Sequence, residues 1–328
     1  MADPLTSDPF LHALLLDGKG GASALSKHDV EQWSEKQGEL WLHIDFTNTH
    51  SCNWLVSESG LPSAIADALT SSKSRPRVQN INDEQLLLIL RGINLNPNAD
   101  PDDMVSIRML RERTRIISTR QHRLQSVSEI IEQLFAGQGP LTLSELMVNL
   151  ADSLTQRIGD QVEMMDEQLE LLEVQIESKN SNSVRELLAK ERSTNAYLMR
   201  YLKPQNDVLS RLTHVKIPFF DTVQKAELFE INEQLTRHVE ALNMLRERAI
   251  AAHDNVMNKL SEQLNQRLYL LAIISGVFLP LGFLTGLLGV NLGGIPGADY
   301  EYSFLIFLAS ITLFTVGLTL FLKRKGWF

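Results

Sequence analysis

The chain holds one cysteine, Cys52, in 328 residues, so an internal disulfide and a cysteine-rich metal cluster are both excluded. Basic charge is scarce as well. With 31 Lys and Arg against 40 Asp and Glu the net charge is −9, a poor surface for nucleic acid and a favourable one for concentrating cations. No stretch before Leu268 is long and apolar enough to cross a membrane, and Met1 to Phe10 lacks the basic, apolar, small-residue order of a secretory signal. Motifs of enzymatic chemistry are missing too. Gly18 to Gly21 has no Lys-Ser/Thr ending or helix entry and reads as a hairpin turn, and neither a nucleophile elbow nor a paired catalytic motif is present.

What the sequence does have is concentrated at one end. Leu268 to Leu288 and Ser303 to Leu322 are free of charge, and each is long enough for a hydrocarbon core of roughly 30 Å. Lys259 and Arg267 precede the first run, Lys323, Arg324 and Lys325 follow the second, and the loop between them has no basic residue. Positive charge stays inside, so both ends are expected in the cytoplasm. Tyr269, Tyr300, Tyr302 and Trp327 fall where interfacial aromatics sit. Only three basic and two acidic residues lie beyond Arg267, so the acidity belongs to the part before the spans.

That part changes character once. Strand-like segments at Leu11 to Leu16, Leu40 to Phe46, Arg75 to Ile81, Leu86 to Ile93, Val105 to Arg111 and Arg115 to Thr119, with a helix at Leu61 to Leu69, predict a small mixed α/β domain. Helical patterns then take over at Ser126 to Ala136, Leu141 to Ser178 and Asn182 to Val215, with breaks at Gly137 to Pro140, Asn180 to Ser183 and Ile217 to Phe220. From Thr222 no breaker occurs until Pro280, so one helix is expected over Thr222 to Leu288, roughly 100 Å at about 1.5 Å per residue.

Along this helix Leu228, Ile231, Leu235, His238, Leu242, Leu245, Ala249, Ala252 and Val256 follow at steps of three and four, the spacing of a coiled-coil seam, and Leu260 and Leu264 continue it toward the span. Two packings are open, and both can hold on different faces: parallel copies around a common axis, with His238 meeting its counterparts, or the seam lying on Leu141 to Val215 of its own chain.

Two spans cannot enclose a water-filled path, so transport through this protein requires several subunits. A membrane-anchored coiled-coil scaffold is the reading from another class, in which exchange of Asn291 would leave function intact. An anchor, however, has no need of the segment Gly286, Leu287, Leu288, Gly289, Val290, Asn291, Leu292, Gly293, Gly294, Ile295, Pro296, Gly297. Gly282 and Gly286 permit close helix approach, and Pro280 cannot donate to the carbonyl of Gly276, so a kink or a hydrated carbonyl is expected there.

Phe278, Leu279, Pro280, Leu281, Gly282, Phe283, Leu284, Thr285, Gly286, followed by Gly289, Val290, Asn291, resembles the CorA family of divalent-cation transporters. Many members have Gly-Met-Asn at this point; the Gly-Val-Asn form resembles the zinc-transporter branch. The resemblance implies an α+β/α/β cytoplasmic domain followed by long helices and a two-helix transmembrane hairpin, assembled as a homopentamer in a bacterial-type inner membrane. In that frame residues 1–125 form the mixed domain, 126–221 a helical region, 222–267 the stalk, 268–290 the pore-lining span, 291–302 the external loop, 303–322 the second span and 323–328 a basic cytoplasmic tail. Its partners are then other copies of itself, membrane lipid and divalent metal ions.

The transported ion is expected to be Zn2+, with Mg2+, Co2+ or Ni2+ as the alternative, and no catalytic cofactor is implied. Gly289, Val290 and Asn291 would form the entrance. A ring of neutral amide oxygens accepts hydrogen bonds from metal-bound water without stripping or trapping the ion. Asp299 and Glu301 would add an outer negative field. Counting back by three and four from Asn291 places Gly286, Gly282, Leu279, Ser275, Leu271 and Leu268 on the pore face, where leucines gate by dewetting. Relatives often have a threonine where this chain has Gly282, so a hydroxyl ring is absent or comes from Thr285 or Ser275. No Cys, His, Asp or Glu lies in either span, so soft-ligand capture and an intramembrane proton relay lack side chains. Elsewhere His43 with Asp45, His50 with Cys52, and His238 and His253 are metal-ligand candidates, none in a recognised zinc spacing.

Overall fold

The computed structural model describes residues 8–100, 103–176, 181–214, 219–289, 297 and 300–325. The chain divides between His253 and Asp254 into two compact units.

The first unit begins with a hairpin of β1 (His12–Leu16) and β2 (Ala22–Ala24). Asp17 builds its turn, accepting the N–H groups of Lys19 at 2.7 Å and Gly21 at 2.9 Å through Oδ1. Gly18 and Gly20 take positive φ, where a side chain would strain the backbone. The remaining strands are β3 (Leu40–Asp45), β4 (Arg77–Asn82), β5 (Gln85–Gly92), β6 (Val105–Arg111) and β7 (Arg115–Arg120). Their order is β2-β1-β3-β7-β6-β5-β4. Only β3 and β7 run parallel; β4 to β7 form an antiparallel meander. Short β2 went unread in the sequence because three residues carry no usable alternation.

Both faces of the sheet are covered, which is why β5 and β6 are buried along almost their whole lengths instead of alternating. On one face lie α2 (Thr49–Asn53), the π-helical turn Trp54–Glu58 and α3 (Ser63–Thr70). They press Trp54, Leu55, Ile65 and Leu69 onto Leu42, Ile44, Leu87, Leu110 and Ile117. The other face carries α4 (Gln125–Phe135) and α5 (Leu143–Ile176). Here Gly92 is needed for packing, since a Cβ would stand 2.5 Å from Leu154 Cδ2. A short α1 (Lys27–Gln32) is closed by a Ser26–Asp29 capping box.

Helices α5, α6 (Ser181–His214) and α7 (Thr222–Leu288) pack side by side in the first unit. α6 begins at Ser181, inside the stretch expected as a break, and runs through Pro204. The next residue, Gln205, is buried and serves the sheet: its amide accepts from Arg91 N at 2.7 Å and donates to Arg91 O at 3.0 Å. β4 pairs β5 only as far as Ile89, so this side chain takes over the edge two residues on. Arg248 of α7 holds α5 through Asp166 and Glu173, the latter at 2.8 Å.

The α7 seam is decided by burial. Leu228, Ile231, Leu235, Leu242, Leu245, Ala249 and Ala252 are all buried within a single chain. The seam therefore faces its own chain, each buried leucine contributing about 1.5–3 kcal/mol. Asn195 of α6 reinforces the packing by donating to Leu242 O at 2.7 Å.

The second unit comprises the end of α7 and α8 (Ser303–Arg324). α7 remains helical through Pro280.

Candidate metal-conducting site

Within the second unit the apolar run of α7 and all of α8 stay uncovered in a single chain. Leu268, Leu271 and Leu279 are exposed, Leu279 at 77%. A Cβ added at Gly282 or Gly286 would meet no atom within 4 Å, so the small-residue notch is open. Ser275, Leu279 and Gly282 line one concavity of about 900 Å³ with Phe278 and Phe283. Three of the expected pore-face residues thus share a surface.

The hydroxyl of Thr285 is turned onto its own helix, donating to the carbonyls of Leu281 at 2.9 Å and Gly282 at 3.1 Å. At the end of α7 the N–H of Gly289 donates to Thr285 O at 2.9 Å. A Cβ on Gly289 would lie 2.8 Å from that carbonyl, so glycine is what allows this helix end. Gly297, at φ 85°, accepts from Tyr300 N and Ser303 Oγ and leads into α8. Glu301 is exposed. Val290, Asn291 and Asp299 lie outside the described residues.

The other metal candidates are placed in the first unit. His43 is buried on β3, its Nδ1 2.8 Å from Ser118 Oγ, and that hydroxyl accepts from Trp41 Nε1 at 2.8 Å. Burial, with Arg120 and His12 nearby, holds this imidazole well below the usual histidine range. Asp45 accepts from Thr47 N at 3.0 Å and from Thr47 Oγ1 at 2.6 Å, and faces Arg120. Both side chains are thus engaged in holding the fold. His50 and Cys52 are two apart in α2, a spacing that turns them away from each other.

The His238 ring lies against α5, where a Cβ on Gly159 would stand 2.7 Å from Cε1, so the imidazole packs on its own chain. Burial and Arg237 lower its pKa while Asp160 opposes them. Asp160, Glu163 and Asp166 share a groove of about 780 Å³ with His238, yet Asp166 is taken by Arg248. Among the described residues no three His, Cys, Asp or Glu side chains converge as metal ligands. Gly159 was the missed partner; a lone glycine inside a long helical pattern is the signal that marks a close approach.

Comparison with known proteins agrees with this architecture. The family profile of the "CorA-like Mg2+ transporter protein" matches residues 36–324. The "Divalent cation transporter CmaX" of Pseudomonas aeruginosa is 37% identical over 296 residues, covering 90% of this chain and 89% of that one. The "Zinc transport protein ZntB" of Pectobacterium carotovorum is 36% identical over 322 residues, covering 97% and 95%. The structure of full-length CmaX superposes with a TM-score of 0.83 at 34% identity, covering 96% of this chain and 98% of that one. A sheet domain, a long helix and two apolar helices, matched over nearly the whole length by these relatives, establish that the chain belongs to the CorA family and is a divalent-cation transporter, not an enzyme.

Proposed function

We propose that this chain moves Zn2+ across a bacterial-type inner membrane as a homopentamer, with α7 lining the path and Asn291 ringing its entrance. The observation that carries the reading is the open face of α7: Leu268, Leu271 and Leu279 exposed beside the unfilled notch of Gly282 and Gly286. Lipid can cover apolar side chains, but a two-span hairpin encloses no path, so the conducting form needs neighbouring copies. Five first spans around an axis bring that face inward and let helices approach at the glycines. The basic residues flanking the spans keep both ends cytoplasmic.

The chemistry follows from what the spans lack. Without carboxylate, imidazole or thiolate in either run, the path offers no charged or soft side chain to trap a metal ion. An Asn291 ring instead engages the hydration shell, Asp299 and Glu301 raise the local cation concentration, and the leucines close the path by dewetting when the ring is not occupied. Zinc is favoured by the Gly-Val-Asn motif and by relatives named as zinc transport proteins. Magnesium is the second reading, favoured by the name of the matched family.

The test is metal flux into proteoliposomes loaded with a zinc-sensitive dye, for the native chain and Asn291→Ala, repeated with Mg2+ and under an imposed pH gradient. Zinc flux that is lost in the variant supports the entrance ring. Magnesium flux without zinc flux moves the assignment to magnesium, and unchanged zinc flux in Asn291→Ala removes the ring from the mechanism.

A further inference from the structure

A second cavity, of about 430 Å³, opens in the first unit where the segment after α3 meets the start of β6, the residues after β7 and the face of α6. Among the described residues its charge is one-sided. Lys73, Arg75, Arg91, Arg108 and Arg200 line it, against the carboxylate of Asp103.

Two of these cations are built into the fold. Arg91 donates through Nε and Nη2 to Ser74 O at 3.1 and 2.8 Å and through Nη1 to Met104 O at 2.6 Å, with its plane 4.0 Å from the Tyr201 ring centre. These hydrogen-bond partners are neutral, and the carboxylate that acts on the guanidinium is Asp103. Arg108 is only 1% exposed, and its Nε and Nη1 have no hydrogen-bond partner among the described residues. The guanidinium stands over the Phe46 ring at 4.9 Å. Burial, and Arg91 beside it, lower the Arg108 pKa to about 10, which still leaves the group cationic at neutral pH.

A buried guanidinium with unsatisfied donors is costly unless something completes it. Planar, forked N–H groups on several arginines match the oxygens of a phosphate group. We propose that this cavity is a binding site for the phosphate group of a small molecule, with Arg108 at its floor and Arg75 and Arg200 at its mouth. The exposed Lys73 adds to the field that draws an anion in, and the volume leaves room for more than the phosphate itself. This is an anion site in a cation transporter, separate from the membrane-spanning helices.

The measurement is calorimetric titration of the detergent-solubilised full chain, free of divalent metal and at constant ionic strength set with chloride. Inorganic phosphate and ATP are the probes. Saturable binding of either, above the chloride background, is the expected result. Equal affinity for the two assigns the site to free phosphate, and at least tenfold tighter binding of ATP assigns it to a larger phosphorylated molecule. Arg108→Met, and separately the solvent-exposed pair Arg75→Ala with Arg200→Ala, should each weaken binding at least tenfold. The exposed pair keeps the test valid if the buried substitution misfolds. No saturable binding by either probe, or undiminished affinity in the exposed pair, overturns the proposal.

Discussion

His238 of α7 rests its imidazole on Gly159, the one glycine of α5, so closely that a Cβ there would come within 2.7 Å of Cε1 and 2.9 Å of Nε2. The contact fixes the register of two parallel helices at a point where the ring remains half-exposed.

Exchanging these two residues should therefore show coupling. Gly159→Ala gains helix propensity of about 0.5–1 kcal/mol, while crowding the ring costs about 1–3 kcal/mol. The lower end applies, because the ring can swing into the groove. The single variant is expected near or slightly below native stability, and Gly159→Ala with His238→Ala above it. Thermal unfolding of the four proteins of the cycle gives the coupling, expected at about 1 kcal/mol; additive effects would mean that the two groups do not touch.

Acid should destabilise the first unit. His43, His12 and His238 all have pKa values below the ordinary histidine range in the folded chain, each mainly through burial. Below about pH 6.5 the unfolded chain takes up protons that the folded chain refuses, so stability falls as pH drops and is insensitive to these groups above that value. The fully buried His43 contributes a slope of at most about 1.4 kcal/mol per pH unit. Unfolding followed by tryptophan fluorescence at pH 7.5 and 5.5 should show a smaller acid loss in His43→Gln than in the native chain. Equal losses would place the proton uptake elsewhere.

Leu235 is fully buried in the α7 seam. Truncation to alanine should cost about 2–5 kcal/mol, the range for a core leucine, and lower the unfolding temperature accordingly. In a Cys52→Ser background, Leu235→Cys should give no disulfide-linked dimer on mild oxidation, because the position faces its own chain. A dimer band would restore the packing of parallel copies along this seam.

At the membrane end, Gly289→Ala forces a methyl group against the carbonyl of Thr285. The helix end must shift, and with it the start of the segment that holds Asn291. Metal flux in proteoliposomes is expected to fall at least tenfold while the oligomer, sized by gel filtration, is retained. Full flux would show that the entrance tolerates a different exit from α7.

The sheet and the spans were legible for different physical reasons. Local pattern marked Leu40 to Phe46, which alternates, and Arg115 to Thr119 as strands, yet it carried no information that β3 and β7 lie side by side and parallel. α7 was readable end to end because its pattern is local and uninterrupted. Its buried partner was not, since a seam with steps of three and four looks the same whether it meets a copy or its own chain.

By itself the sequence determined two spans, their orientation, six of the strands, the longer helices, and the Gly-Val-Asn segment with its family resemblance, because charge, length, periodicity and motif are properties of neighbouring residues. Tertiary structure alone decided that His43 and Arg108 are buried, that His238 needs Gly159, and that Gln205 completes the edge of β5. These depend on segments up to 114 residues apart in the case of Gln205 and Arg91, brought together by burial of apolar surface that has no counterpart in local pattern.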